Sequence, residues 1–427
     1  MCASWVNGDA DYKIENGEII GVSQLNTPNS FLATEIEYSD FIFECEFNFE
    51  NGLNSGVQIR SHSLLEFSNG RVHGYQVEMD PSERGWRGNI YDEARHGWLY
   101  HNEYNNGAKT AFIPSKWNQF RIEAIGNNVK VWLNGVLTSD LIDDFDSSGF
   151  IALQVHSIKD ESLVGKTVKF RNIRLLSENL ESNRVIDKNE IVQVNHLTNH
   201  LTDKEVNEGW KLLWDGSTTN GWKSAKGDSF PEKGWNISEG ELSVERSGGA
   251  ESEWGGDIVT TQRYSNFILD VDFKYTVGAN SGIKYFVDTY LNKGPGSAIG
   301  CEYQILDDDV HPDAKLGVNG NRTLASLYDL ISAEGLIYVP NENVPKRVNK
   351  YGWNRARILS NNNKVEHYLN GIKVVEYDRS SQMFKALVAY SKYKIWQGFG
   401  ELPQGQILLQ DHGDEIHFKN IKIKELN

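Results

Sequence analysis

Alternation of apolar and polar residues is the dominant pattern along this chain of 427 residues. In 41–49 (FIFECEFNF), and again in 267–275 (FILDVDFKY), every second residue is apolar, which is the spacing of a strand buried on one face. The alternating segments 129–133 and 365–369 each lead into Asn-Gly, a strong signal for a hairpin turn. Many short strands separated by Gly and Asn predict an all-β fold built from jelly-roll sandwiches.

Helical patterns are rare. Thr202 and Glu205 have the spacing of a capping box and predict a short helix at that point. A second helix is predicted over 381–390, with Met383, Phe384 and Leu387 on one face.

The chain also repeats itself. Seven short blocks recur in one order, among them Asn54–Val57 with Asn280–Ile283, and Leu153–His156 with Leu409–His412. Another block, Tyr75-Gln76, recurs as Tyr303-Gln304. Ordered recurrence over half the chain predicts two copies of one domain. We expect a first sandwich over 1–178, a linker with a short helix over 179–209 and a second sandwich over 210–427, which is a tandem concanavalin-like or laminin-G-like arrangement.

The copies are unequal in length. Between the Leu-Asn-Gly turn and the Gln-x-His block, the second copy is longer by 20 residues. Loops carry much of the function of sandwich proteins. One active domain with one helper domain is therefore as credible as two equal enzymes.

The composition narrows the classes of molecule that the protein is expected to bind. The chain has 43 Lys and Arg against 59 Asp and Glu, a formal charge of −16. This balance argues against nucleic acid or an anionic membrane and favours a neutral or cationic small molecule. No apolar run approaches the roughly 18 residues of a membrane span. The three scattered cysteines offer neither a disulfide framework nor a metal-ligand spacing, and Cys45 is expected to be a buried free thiol.

Two histidines are candidates for chemistry. His156 and His412 each end an apolar strand segment, and histidine exchanges protons near neutral pH. A purely structural histidine at a strand end explains the pattern equally well, because repeats also preserve structural residues.

Polar residues on strand faces form a second group of candidates. Gln76 and Glu78 share one face of a strand, as do Glu302 and Gln304 in the second copy. Amides and carboxylates on one face suit the hydroxyl groups of a sugar, and a nearby aromatic such as Trp98 could stack on its ring. The alternative for each residue is an ordinary solvated face or the core. The acidic runs 143–146 and 307–309 resemble calcium ligands, but solvated turns are favoured.

The combined blocks resemble the 3-keto-disaccharide hydrolase family. The resemblance rests on Asn-Ser-Gly-Val/Ile, Tyr-Gln, Tyr-Asp, Trp-Asn, Leu-Asn-Gly, Gln-x-His and Phe-Arg/Lys-Asn-Ile, together with 208–216 and 391–394. It covers nearly the whole chain outside the linker. The first copy departs from the pattern with Val155 and Ser157 around His156, and the second has Leu330-Ile331 after Tyr-Asp, so either copy could be the degenerate one.

The resemblance implies an enzyme acting on glycosides whose C3 hydroxyl is oxidised to a ketone. The ketone acidifies the C2 proton, so a base can remove it and the C1 leaving group can depart by elimination. The candidate catalytic residues are Arg60, Asp92, Glu93, Arg95 and His156 in the first copy, and Glu302, Lys394 and His412 in the second. The candidate substrate-binding residues are Tyr75, Gln76, Glu78, Tyr91, Trp98, Gln304, Tyr328, Asp329 and Trp396.

Several alternatives stay open. A non-catalytic protein could grip one glycan with both sandwiches, and a classical glycosidase would need two carboxylates at a fixed separation. No metal ligand is assigned, although a divalent metal could replace the cationic group. We expect a small-molecule or oligosaccharide partner, an unknown oligomeric state, and a location outside the cytoplasm. Met1-Cys2 is compatible with a lipoprotein cysteine exposed by removal of a leader.

Overall fold

The computed structural model describes residues 3–80, 82–186, 191–248, 251–334 and 348–426, with the side chains of 3–5 left out. The fold is all-β and divides into two compact units, residues 1–197 and 198–427. Within the described ranges no helix is long and apolar enough to cross a membrane. The fold class expected from the alternating pattern is confirmed.

The first unit contains fifteen strands in its described part. They are β1 (Ala3–Val6), β2 (Asp11–Glu15), β3 (Glu18–Val22), β4 (Ser30–Thr34), β5 (Phe41–Phe49), β6 (Ser55–His62), β7 (His73–Met79), β8 (Ile90–Glu93), β9 (Gly97–Tyr100), β10 (Asn118–Ile125), β11 (Asn128–Leu133), β12 (Val136–Ile142), β13 (Phe150–Val155), β14 (Thr167–Leu176) and β15 (Val194–Asn195). Short 3₁₀ turns occur at Asn106–Thr110, Glu161–Leu163 and Glu181–Asn183.

These strands form two sheets that enclose one core. One sheet has the order β1-β4-β13-β6-β7-β8-β9, and the other has the order β15-β12-β11-β10-β5-β14-β3-β2. Phe43 and Phe47 of β5 meet Val57 and Ile59 of β6 in this core. Cys45 is a buried free thiol on the same face of β5, as the alternation predicted.

The second unit has thirteen strands and two helices in its described part. They are α1 (Asp203–Asn207), β16 (Trp210–Leu212), β17 (Trp222–Ser224), β18 (Trp235–Ser238), β19 (Glu241–Val244), β20 (Ile258–Thr260), β21 (Phe267–Tyr275), β22 (Asn280–Asp288), β23 (Ile299–Leu306), β24 (Asn354–Asn361), β25 (Lys364–Leu369), β26 (Ile372–Asp378), α2 (Gln382–Tyr390), β27 (Gln406–Leu409) and β28 (Ile416–Glu425). The 3₁₀ turns are Pro312–Lys315 and Lys392–Ile395.

This unit is again a sandwich. A five-stranded sheet, β17-β20-β27-β22-β23, packs on an eight-stranded sheet that contains β18, β19, β28, β21, β24, β25 and β26, with β16 paired to β28. Phe273 of β21 and Ile283 of β22 lie in the shared core. Since β22 alternates, Lys284 faces away from that core.

Local expectations were mostly correct. Asn134-Gly135 and Asn370-Gly371 form the hairpin turns, and all four residues have positive φ angles between 49° and 80°. Thr202 and Glu205 form the predicted capping box at α1. In α2, Phe384 is buried, but Met383 is 71% exposed, so the predicted apolar face was too wide.

The acidic runs are only partly the solvated turns favoured above, since each contains both exposed and buried carboxylates. Asp143 is buried and accepts a hydrogen bond from Tyr75 Oη, and burial raises its pKa to about 6. Asp307 is buried as well and accepts from the N–H of Gly278 at 2.8 Å. These carboxylates anchor loops instead.

Candidate functional site

Strand register shows which residues of the two copies are equivalent. In the second unit, Lys284 of β22 lies opposite Glu302 of β23. In the first unit, Gln58 of β6 lies opposite Gln76 of β7. Glu302 is therefore the counterpart of Gln76, and the sequence match of Tyr75-Gln76 with Tyr303-Gln304 is two residues out of register. A slip of two residues keeps every side chain on its own face, so alternation alone does not detect it.

The polar face of the second unit has a buried floor. Lys284, Glu302 and Gln304 project from β22 and β23 on the face opposite the core, and each is at most 5% exposed. Gly282 leaves the room that Glu302 occupies, because a Cβ atom there would lie 2.4 Å from Glu302 Oε1. A side chain at this position would force Glu302 to shift.

One ammonium group stands among three carboxylates in this floor. Lys284 Nζ lies 3.6 Å from Glu302 Oε2 and 3.9 Å from Glu251 Oε1. It also donates to Ser297 Oγ, whose hydroxyl donates to Asp257. Burial opposes the charge of Lys284, but Glu302 and Asp257 raise its pKa. Burial raises the pKa of Glu302 even though Lys284 counters that shift.

A second lysine stands at the rim. Lys392 Nζ lies 4.1 Å from the ring centroid of Tyr328. Tyr393 Oη lies 3.5 Å from Glu302 Oε2. Desolvation lowers the pKa of Lys392, and Glu302 opposes the shift. Asp329 Oδ2 holds this turn by accepting the Lys392 backbone N–H at 2.9 Å.

His412 completes the rim. Its Nε2 accepts from Asn280 Nδ2 at 3.3 Å, and its ring is partly exposed. Despite burial, Lys284 and His412 lower the pKa of Glu251. Gln410 Nε2 donates to Glu251 Oε1 at 2.7 Å. His412 and Lys284 thus both lie close enough to Glu251 to stabilise its charge.

The aspartate of the Asp-His-Gly block has a structural role. Asp411 is fully buried and accepts the backbone N–H groups of Gly255 and Gly256 at 3.0 and 2.8 Å, and that of Gly413 at 2.9 Å. It therefore holds the loop that follows Glu251 against the end of β27. Val155 cannot make these bonds at the matching position of the first unit.

The structure also places the remaining candidates of the second unit. Lys394 is exposed, and the lysines whose charges act on Glu302 are Lys284 and Lys392 instead. Trp396 is partly buried against the second core. Sequence reasoning missed Lys284, Lys392 and Glu251, although Lys284 directly follows a recurring block.

The equivalent floor of the first unit consists of amides. Gln58 Nε2 and Gln154 Nε2 both donate to Gln76 Oε1, at 2.7 and 2.8 Å. Gln76 Nε2 donates to Glu78 Oε2 at 2.8 Å. Burial raises the pKa of Glu78 to about 8, so this carboxyl is protonated at neutral pH.

Aromatic side chains border that floor. Tyr91 of β8 lies opposite Gln76 on one side and Trp98 of β9 on the other, with ring centroids of Tyr91 and Trp98 5.1 Å apart. Glu93 forms an ion pair with Arg71 at 3.2 Å. Gln76, Tyr91 and Trp98 therefore form a continuous row across three strands.

The other candidates of the first unit do not join this row. Each of the three side-chain nitrogens of Arg60 is bonded, to Ser39 O, Gly126 O and Asp40. His156 Nδ1 lies 2.7 Å from Ser157 O. Tyr75 is fully buried in the core.

Asp92 and Arg95 form a separate ion-pair group. Arg95 Nη2 lies 2.7 Å from Asp92 Oδ1 and also contacts Asp146. His96 Nδ1 lies 2.6 Å from Asp92 Oδ2. Asp92 is fully buried, and its two basic partners lower its pKa against the effect of burial. This group braces the turn between β8 and β9.

No metal centre is assigned. Across the described ranges, no group of three or more His, Cys, Asp or Glu side chains is arranged to hold a metal ion. The cationic part of the second site is supplied by lysines.

Fold and site together define a protein of two tandem β-sandwiches, one of which carries a cluster of titratable groups on the face opposite its core. The chain belongs to the family of the 3-keto-alpha-glucoside-1,2-lyase-like domain, whose model matches residues 2–176 and 209–424. Both sandwiches are thus copies of this family's domain.

Relatives are similar to about half of this chain. A 3-keto-disaccharide hydrolase of Bacteroides thetaiotaomicron is 35% identical over 241 residues, covering 52% of this chain and 79% of that protein. A crystal structure of a candidate glycosyl hydrolase from Parabacteroides distasonis is 32% identical, covers 54% of this chain and 100% of its own, and has a TM-score of 0.46. A second such structure from that organism is 30% identical, covers 48% and 100%, and has a TM-score of 0.36.

Proposed function

We propose that the protein is a carbohydrate-active enzyme and that its second domain cleaves 3-keto-glycosides. Family membership and the 35% identity to a 3-keto-disaccharide hydrolase support a glycoside-cleaving activity. The partner is then a sugar. The location of the protein outside the cytoplasm stays a prediction.

One observation carries the choice of domain. The second domain brings a carboxylate, Glu302, to 3.6 Å from an ammonium group, with Lys392 and His412 close enough to influence its pKa. A catalytic site needs such a convergence of titratable groups, whereas a binding face needs mainly amides and aromatics. The equivalent pair of the first domain, Gln58 and Gln76, cannot transfer protons.

The proposed reaction assigns one role to each group. Glu302 takes the C2 proton, since a carboxylate with a raised pKa is a stronger base. The electron pair moves onto the C3 oxygen as an enolate, which the ammonium group of Lys392 stabilises. When the C3 carbonyl re-forms, the C1–O bond breaks and His412 protonates the departing oxygen. Addition of water across the new C1–C2 double bond completes a hydrolysis, and omission of this step gives a lyase.

Lys284 is a positioning residue in this scheme. It is buried and bonded to Ser297, and it keeps the carboxylate of Glu302 ionised in a poorly solvated floor. Without a cation at this point Glu302 would hold its proton and could not act as a base.

The test compares p-nitrophenyl 3-keto-α-glucoside with p-nitrophenyl α-glucoside as substrates of the chain of 427 residues. We expect nitrophenol release from the keto form alone. Glu302→Gln should lower turnover by at least about 100-fold. His412→Ala should lower it much less, because nitrophenolate is a good leaving group that needs little help from an acid. His156→Ala is the matched control and should keep wild-type turnover. If Glu302→Gln leaves turnover unchanged, the assignment is wrong.

A second candidate function is binding without catalysis. The amide floor and aromatic rim of the first domain favour it for that domain. Failure to cleave either glucoside, combined with measurable binding, would support this alternative for the whole chain.

A further inference from the structure

The two floors differ by the replacement of a charged pair. Lys284 opposite Glu302 in the second domain corresponds to Gln58 opposite Gln76 in the first. Both floors are equally buried, since Gln76 is 2% exposed and Glu302 is 4% exposed. The first domain therefore keeps the shape of the site but lacks the Lys–Glu pair.

The charged groups around this floor are neutralised. Glu78 is protonated at neutral pH, as described above. At the rim, Arg71 pairs with Glu93 at 3.2 Å, and Arg84 pairs with Asp80 at 2.8 Å. A charged ligand would find no unpaired partner of opposite sign among these groups.

Buried acceptors of this site are left without a donor. Gln154 is fully buried, and its Oε1 has no hydrogen-bond partner within the described residues. Asn54 Oδ1, a buried atom of a partly buried residue, also has no hydrogen-bond partner there. An unsatisfied buried acceptor costs about 1–3 kcal/mol, so a donor from a ligand or water is expected there. Hydroxyl groups are such donors.

The rim supplies an apolar surface. Trp98 and Tyr91 are partly exposed, and the guanidinium of Arg84 lies 5.3 Å from the Trp98 ring centroid. An indole next to hydroxyl-binding amides matches a pyranose ring, whose C–H face is apolar and whose edge is polar.

We propose that the first domain is a non-catalytic binding domain for an uncharged sugar, held by the Gln76–Glu78 floor and the Tyr91–Trp98 rim. The binding claim is independent of the proposed reaction. The absence of catalysis in this domain rests on the role proposed above for Glu302.

The test uses the full chain carrying Glu302→Gln, with ¹⁵N-labelled tryptophan. The indole N–H signal of Trp98 is assigned by its loss in Trp98→Ala and is then titrated with methyl α-glucoside and, separately, with methyl α-glucuronide. We expect a saturable shift with the glucoside and binding of the charged glucuronide at least about tenfold weaker, which corresponds to about 1.4 kcal/mol.

Matched substitutions separate this site from general effects. Gln76→Ala should weaken glucoside binding by about tenfold, whereas Gln119→Ala, an exposed glutamine on β10, should change it less than twofold. If Gln76→Ala does not fold, Tyr91→Ala replaces it at the partly exposed rim with the same expectation.

Three results would overturn the proposal. They are the absence of a saturable Trp98 shift with the glucoside, equal effects of the Gln76 and Gln119 substitutions, and tighter binding of the glucuronide. The Glu302→Gln chain could retain some cleavage of p-nitrophenyl 3-keto-α-glucoside. If adding Glu78→Gln abolishes that cleavage, the first domain is catalytic, and only the non-catalytic part of the proposal is overturned. Failure of the proposed reaction with an intact Trp98 shift leaves the binding claim supported.

Discussion

Replacing Lys284 by glutamine tests whether this lysine compensates the buried carboxylates around it. The substitution installs the residue that occupies the same position, Gln58, in the first domain. In the second domain, however, Glu302, Glu251 and Asp257 remain. We therefore expect Lys284→Gln to destabilise the second domain, although glutamine is well tolerated in the first.

The magnitude follows from the geometry. At the 3.6 Å separation of Lys284 and Glu302, the direct attraction is about 5 kcal/mol for an effective dielectric constant of about 20. Partial protonation of the stranded carboxylates recovers part of this loss, so we expect a net penalty of about 3 kcal/mol near neutral pH. The double variant Lys284→Gln/Glu302→Gln recreates the amide pair of the first domain and should cost about 2 kcal/mol less than the sum of the two single variants.

The penalty should depend on pH in a defined direction. Without Lys284 the pKa of Glu302, already raised by burial, rises further. The folded variant then binds a proton that the unfolded chain releases above about pH 4.5, so its stability falls as the pH rises. The difference from wild type should be larger at about pH 8 than at about pH 5.

The assay must resolve the two sandwiches, because a chain of two domains need not unfold in one transition. Pulsed hydrogen exchange along a urea series provides this resolution, with peptides from β22 and β23 reporting on the second domain. Peptides from β6 and β7 of the same chain are the internal control and should not change. Additive penalties in the double variant, or a penalty equal at both pH values, would refute the reasoning.

Three further predictions concern single groups. His367 accepts from Tyr285 Oη at 2.7 Å and lies 3.0 Å from Ala325 O, and burial lowers its pKa to about 4. On acidification the unfolded chain therefore protonates His367 before the folded domain does. The second domain should lose about 3 kcal/mol of stability as the pH falls from about 6.5 to 4. His367→Gln should reduce this dependence of stability on pH, measured by hydrogen exchange in an acid titration. Glu78, with its pKa raised to about 8, acts in the opposite direction. The first domain should lose stability as the pH rises from about 4.5 to 8. If the stability of a Glu78→Gln protein depends on pH in the same way, Glu78 is not the group responsible. Asp329→Asn weakens the support of Lys392 and should lower kcat by about tenfold with a smaller change in KM, whereas a change in KM alone would argue against a positioning role.

Local pattern predicted the scaffold well because strand formation depends on which face is buried. The alternation in β5 and β21, the hairpin turns at Asn134 and Asn370, and the capping box at Thr202 are all properties of neighbouring residues. The face on which Glu302 lies was predicted for the same reason, since it follows from the position of the residue in the strand.

The pairing of strands was harder to predict from the sequence. The recurring Tyr-Gln dipeptide suggested that Gln304 corresponds to Gln76, and only the hydrogen-bonded register showed that Glu302 does. Lys394 was chosen as the cation although Lys392, two residues earlier, contacts the Tyr328 ring. On a short 3₁₀ turn no periodicity distinguishes the two lysines.

The amino-acid sequence by itself determined the all-β class, the tandem repeat and the face of each strand, because alternation and turn chemistry act over a few neighbouring residues. Only the tertiary structure decided that Lys284 stands among Glu302, Glu251 and Asp257, whereas Gln58 stands among amides. These neighbours come from strands and loops far apart in the chain, and the charge state of a buried group depends on all of them together.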